Sequence, residues 1–175
     1  MKTYTLICLF MMFVVGTMAQ SEKKQKEIIE DSSEAKADFL EKDDGMAKFF
    51  NDSYGYVIFP NVGKGGLGIG GAAGNGVAYK QGSLVGMAKL SQVSIGLQAG
   101  GQAFREVIFF ETQKEFDRFT ENKIEFTAQV SAVAAAAGVS ANTKYVDGIA
   151  IFTMAKGGLM YEASVAGQKF KFDPL

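Results

Sequence analysis

The chain has no histidine and no tryptophan, and its one cysteine is Cys8. Without histidine there is no Ser-His or Cys-His nucleophile pair and no zinc site of the usual His/Cys type. Lys and Arg number 18 against 19 Asp and Glu, a net charge of −1, so no bulk field announces a nucleic-acid binder. Even the cysteine belongs to a segment expected to be removed. Lys2 gives a short positive start, and Leu6 to Val15 form an apolar core within the ~7–15 residues of a signal h-region. Thr17-Met18-Ala19 then offers small residues before a cleavage at Gln20. A membrane-spanning anchor needs ~20 apolar residues, and the polar run from Gln20 arrives too soon for one. Cys8 follows Ile7 inside the apolar core, where a lipid-modified cysteine would follow a small residue. The expected mature chain of roughly 155 residues has no disulfides and is long enough for one domain. Residues 1–19 thus read as a signal peptide, 20–50 as a helical segment and 51–175 as a glycine-rich β domain. Export across the inner membrane is expected, to the periplasm or on to the medium.

What the chain does have is a phrase used twice. Phe59-Pro60-Asn61-Val62-Gly63-Lys64-Gly65-Gly66-Leu67 is echoed by Phe152-Thr153-Met154-Ala155-Lys156-Gly157-Gly158-Leu159. Each copy follows a short apolar run preceded by a glycine, Gly55 and Gly148. Paired glycines after a buried strand suit a tight bend or the close approach of a partner. The expectation is two related hairpin bends in one sheet.

From Ser21 to about Asp44 the sequence is charged and helical, with Ile28, Ile29, Ala35, Phe39 and Leu40 as an incomplete apolar stripe. A membrane-surface helix carries excess Lys/Arg on its polar face; acids prevail here, so the stripe is expected to lie on the domain. Asp43-Asp44-Gly45 reads as a stop and Met46–Phe50 as a further turn of helix. Strands follow: 54–59, 67–79, 84–90, 93–99 and 106–111, with Lys80-Gln81-Gly82-Ser83 as a turn. Thr112 and Glu115 match a capping box for a helix to Thr120 whose Phe116 and Phe119 point inward while Lys114, Glu115, Asp117 and Arg118 face water. Alternation resumes over 124–130, the alanine run 132–137 reads as strand, and 149–152, 158–165 and 168–172 complete the chain. Small residues on successive strands let a sheet curl sharply. The expected fold is α+β: a strongly curved antiparallel sheet, or a small barrel-like one, with an N-terminal and an internal helix packed on it.

Gly63-Lys64-Gly65-Gly66-Leu67-Gly68 fits G-x-G-x-x-G, but the glycine-rich stretch after it is hostile to the helix a dinucleotide site requires. No cofactor is expected. Glu106, Glu111, Asp147 and Glu162 stand at expected strand ends, where carboxylates are usually solvated or guard sheet edges, so paired-carboxylate catalysis is set aside and the chain is expected not to be an enzyme. Lys64, Lys156, Arg105 and Lys89 are the candidate anion contacts, since a lysine beside consecutive glycines can join backbone N–H groups around a phosphate.

"GYVIFPNVGKGGLGIGGAAGNGVAY" and "SIGLQAGGQAFREVIFF", followed by "AVAAAAGVSANT" and "GIAIFTMAKGGLMYEASVAG", resemble the SYLF domain of bacterial secreted proteins and eukaryotic actin-patch proteins. The resemblance covers most of the mature chain. It implies phospholipid binding, with phosphoinositides the class for eukaryotic members, rather than catalysis. Actin binding does not carry over to a secreted bacterial-type chain. Gly82-Ser83-Leu84-Val85-Gly86 stands where members often have a Trp-Ser-x-Pro-like phrase, and residues 21–44 are net acidic where membrane-active members are basic. The expected role is a lipid-binding module of the envelope whose partner is phospholipid or a membrane surface. The alternative is a structural or protein-interaction domain with an envelope protein as partner.

Overall fold

Period-two alternation with so few large side chains between Tyr54 and Phe110 produces two strands far longer than the separate segments expected. A computed structural model describes residues 2–126, 132–156, 165 and 167–175. Helix α1 spans Lys2–Lys42 and α2 spans Met46–Asp52. Strands β1 (Gly55–Lys80) and β2 (Ser83–Phe110) form one long hairpin. Helix α3 (Gln113–Thr120), the short strand β3 (Val133–Ala134), β4 (Ile149–Ala155) and β5 (Gln168–Pro174) follow. The hairpin turns at Gln81 and Gly82, both with positive φ (49° and 78°), the two-residue geometry whose twist matches antiparallel strands. The alternation over 127–130, the second expected bend at Gly157-Gly158, the expected strand over 158–164 and Glu162 lie outside the described residues. The alanine run is strand only at β3, which runs parallel to β4.

The hairpin curls back on itself. The Gln81 amide donates to the Tyr54 carbonyl at 3.1 Å, and Tyr56 stacks on Tyr79 with ring centroids 5.0 Å apart. The end of β1 therefore returns beside its beginning. β4 pairs with residues 104–110 of β2, and β5 with residues 86–92. The result is a strongly curved, mostly antiparallel sheet that does not close, with β1 and β3 at the ends of its strand order and β5 beside the first half of β2. Lys64-Gly65-Gly66 is thus not a hairpin bend. It sits within continuous β1, between register shifts at Phe59/Val62 and Gly66/Gly68, where an extra residue bends a strand and tightens its twist.

The two copies of the phrase flank β2. Ile58 and Phe152 both pair with Val107, and Phe59 and Thr153 both pair with Glu106. The copies are therefore offset by one residue, and the equivalent phenylalanines Phe59 and Phe152 point to opposite faces. Their leading glycines differ too. Gly148 follows Asp147 in a positive-φ turn closed by Val146 and Ile149, whereas a Cβ on Gly55 would strike the Phe116 ring and the Tyr79 carbonyl.

Two cores result. The inner, concave one joins Phe59, Val62, Phe104, Ile108 and Phe110 from one half of the sheet to Ala72, Ala88, Leu90 and Phe170 from the other, with Phe116 and Phe119 of α3. The outer one packs Ala35 and Phe39 of α1 and Phe49 and Phe50 of α2 against Tyr56, Ile58, Val107, Phe109 and Phe152. Phe109 is its hub, with ring centroids 4.9–6.0 Å from Phe50, Phe49, Phe152 and Tyr56. Such aromatic pairs each add about 0.5–1.5 kcal/mol beyond area burial. Phe116 and Phe119 point inward as expected, but Glu115 does not face water. It is buried, and the Thr112 hydroxyl donates to its carboxylate in place of the backbone bonds of a capping box. That bond, more than any other contact, holds the Glu115 carboxyl below its ordinary range.

Candidate functional site

Strict alternation in Gln168-Lys169-Phe170-Lys171-Phe172 turns Phe170 into the inner core and both lysines outward. Pairing of β5 with β2 then sets Lys171 directly opposite Lys89, with Asn75 of β1 beyond it, and Lys169 opposite Ser91. Like charges facing each other across a pair of strands oppose sheet formation. Asp173 offsets this, with its carboxylate 3.1 Å from Lys171 and 3.4 Å from Lys89. The Lys171 ammonium chiefly, and Lys89 with it, hold the Asp173 carboxyl below its usual range. Lys169 lies 3.5 Å from Glu125. Lys89, Lys169, Lys171 and Ser91 line a groove of about 520 Å³ together with Asn61 and Asn75.

Asn61 links the groove to α1 and to the residue that follows β4. Its amide donates to Asp31 at 3.2 Å, and its carbonyl accepts from Lys156. Of the four cations expected at a site, Lys89 therefore lies in the groove and Lys156 reaches its wall. Arg105 is engaged elsewhere, its guanidinium binding Glu34 (2.8 Å) and Asp38 of α1 and so clasping the helix to the sheet. Lys64 pairs with Gln102, two residues from Phe104, so alternation puts it on the inner face. Lys64 and Lys156 thus do not converge on one phosphate. The carboxylates are dispersed. Glu106 is mid-strand and fully buried rather than at a strand end, while Glu111 and Asp147 are exposed.

A second cavity, of about 720 Å³, lies between α2 and the 140–145 segment. Its charged lining is mixed, Lys48 and Lys144 against Asp52 and Glu111, and Lys48 is already paired with Asp52. Of the two, the first groove is the one in which cations predominate. Lys169 and Lys171 were missed as site residues because the sequence does not say which strand lies beside β5, although their alternation with phenylalanine was visible.

A curled glycine-rich sheet with a helix clasped to its outside makes this an α+β domain. Residues 91–174 match the Ysc84 (SYLF) family, described as Las17-binding protein actin regulator, and this part of the chain belongs to that family. The chain is also 32% identical over 126 residues to the Beta cell expansion factor A of Aeromonas veronii. That alignment covers 71% of this chain and 48% of the relative, so the chain spans about half the length of that protein. The family is known for lipid binding and is in general non-catalytic.

Proposed function

We propose that this chain is a non-catalytic phospholipid-binding module of a bacterial envelope, exported by its N-terminal apolar segment and taking lipid phosphate in the Lys89–Lys169–Lys171 groove. The observation that carries the reading is the direct opposition of Lys89 and Lys171 on neighbouring strands. Two ammonium groups held at that spacing create a local positive field that a bridging anion relieves, and charge-assisted bonds to phosphate are the strong kind. Asp173 supplies one carboxylate at present; a lipid phosphate in its place would receive both ammonium groups. Asn61, Asn75 and Ser91 add neutral polar contacts around the headgroup.

Flotation of the mature chain with vesicles tests this. Binding to phosphatidylcholine vesicles containing phosphatidylglycerol, and weaker binding to phosphatidylcholine alone, is expected. Absence of binding to both, together with stoichiometric recovery of an envelope protein, would establish the protein-interaction reading instead.

A further inference from the structure

The inner core holds one acid that the groove does not use. Glu106 is fully buried on β2, and its Oε2 accepts a 2.9 Å hydrogen bond from Nε2 of Gln168, also fully buried, at the start of β5. The other oxygen of each group, Oε1 of Glu106 and Oε1 of Gln168, has no hydrogen-bond partner. Both are acceptors, so as long as Glu106 is ionised neither can satisfy the other. Leaving buried acceptors unpaired is costly. A single proton on Glu106 Oε1 supplies the one donor missing, and it would point at the Gln168 carbonyl while Gln168 Nε2 still donates to Oε2. We infer that Glu106 is held as the neutral acid, closing a two-bond ring with the Gln168 carboxamide that latches the two halves of the curved sheet across the inner core.

The surroundings favour the neutral form. Among the described residues no cation or second acid stands directly opposite Glu106; Lys64, on the same inner face of β1, pairs with Gln102, four residues along β2. β1 brings Phe59 and β4 brings Thr153 directly opposite it. On β5, Lys169 is turned outward towards Glu125. Arg105, the preceding residue of β2, points to the other face, where it holds Glu34 and Asp38 of α1. From α3 the buried acid, Glu115, is engaged by Thr112. Burial accordingly pushes the Glu106 carboxyl up to about 7, against a smaller opposing pull from Gln168. The backbone around Gln168 is also fixed, its carbonyl accepting from Phe126 and its amide donating to Val165, so the carboxamide stands ready on a rigid support.

The sign of the pH dependence follows. A carboxyl whose folded value is raised contributes stability that is complete below the unfolded value and is lost as pH rises through the folded value. Glu106→Gln tests the ring directly, because a second carboxamide reproduces both hydrogen bonds without a titrating proton. Between pH 5.5 and 8 the unfolding constant of the wild-type protein should rise roughly 30-fold relative to that of Glu106→Gln, from a folded value of about 7. In the wild-type protein, the 13C resonance of the Glu106 carboxyl should titrate near neutrality. Parallel pH profiles for wild type and Glu106→Gln, or a Glu106 carboxyl that titrates in the ordinary glutamate range, would overturn the inference. The resonance is read on the unmodified protein, so the test survives a variant that fails to fold.

Discussion

Replacing Gly76 by alanine probes the feature on which the fold depends, the return of β1 against its own first half. A Cβ at Gly76 would lie 2.4 Å from the Ile58 carbonyl oxygen and 2.6 Å from the Phe59 ring. The carbonyl is backbone in the middle of a paired strand and cannot rotate away, so the two segments must separate. Overpacking of this kind costs about 1–3 kcal/mol. Gly63 on the same strand is the control, since a Cβ there meets nothing within 4 Å. Alanine at Gly63 removes backbone freedom from the unfolded chain and should be neutral or stabilising by up to about 1 kcal/mol. At about 2–4 °C per kcal/mol for a chain of this size, Gly76→Ala should lower Tm by roughly 2–12 °C while Gly63→Ala leaves it unchanged or raises it. With no tryptophan to report unfolding, far-UV circular dichroism during urea and thermal melts is the assay. A Gly76→Ala protein as stable as wild type would refute the close approach of the two segments.

Other substitutions test separate parts of the structure. Phe109→Ala removes the ring on which Phe49, Phe50, Tyr56 and Phe152 converge and should cost about 3–5 kcal/mol in urea unfolding. Asp43 is buried and accepts from the amides of Ser140 (2.7 Å) and Gly45 (3.1 Å). Desolvation raises its pKa, but these bonds together outweigh that and leave it below the ordinary value. Its contribution is therefore present above the unfolded pKa and lost as pH falls through the folded one. Asp43→Asn should flatten that acid limb of the stability profile and speed hydrogen exchange at the Ser140 amide. Asp173→Asn frees Lys89 and Lys171 from their shared carboxylate; it should tighten binding to anionic vesicles with little change in Tm, since exposed ion pairs contribute little.

The α+β class and the curl of the sheet were legible because small residues recur on successive alternating strands, and α3 was legible because Phe116 and Phe119 share one face. What the sequence could not convey was continuity. Lys64-Gly65-Gly66 has the composition of a turn, yet pairing with β2 on one side keeps it in the strand through two register shifts. The burial of Glu106 was hidden for a related reason. It adjoins an apolar run bounded by a second acid, Glu111, and only the pairing with Phe59 and Thr153 shows that it stands mid-strand. Half of the candidate groove was visible in Lys89 and Lys156. The other half, Lys169 and Lys171, depends on a contact between segments about eighty residues apart in sequence, which no local pattern encodes.

Charge reversal on the two faces of the sheet tests the central claim most directly. The Lys89→Glu, Lys171→Glu double variant and the Lys64→Glu variant of the mature chain are compared by flotation with phosphatidylglycerol-containing vesicles, after circular dichroism has established that each is folded. The outer-face pair should abolish binding, and Lys64→Glu, on the inner face, should leave it unchanged. Undiminished binding by the folded double variant, or loss of binding in Lys64→Glu alone, would contradict the assignment of the groove.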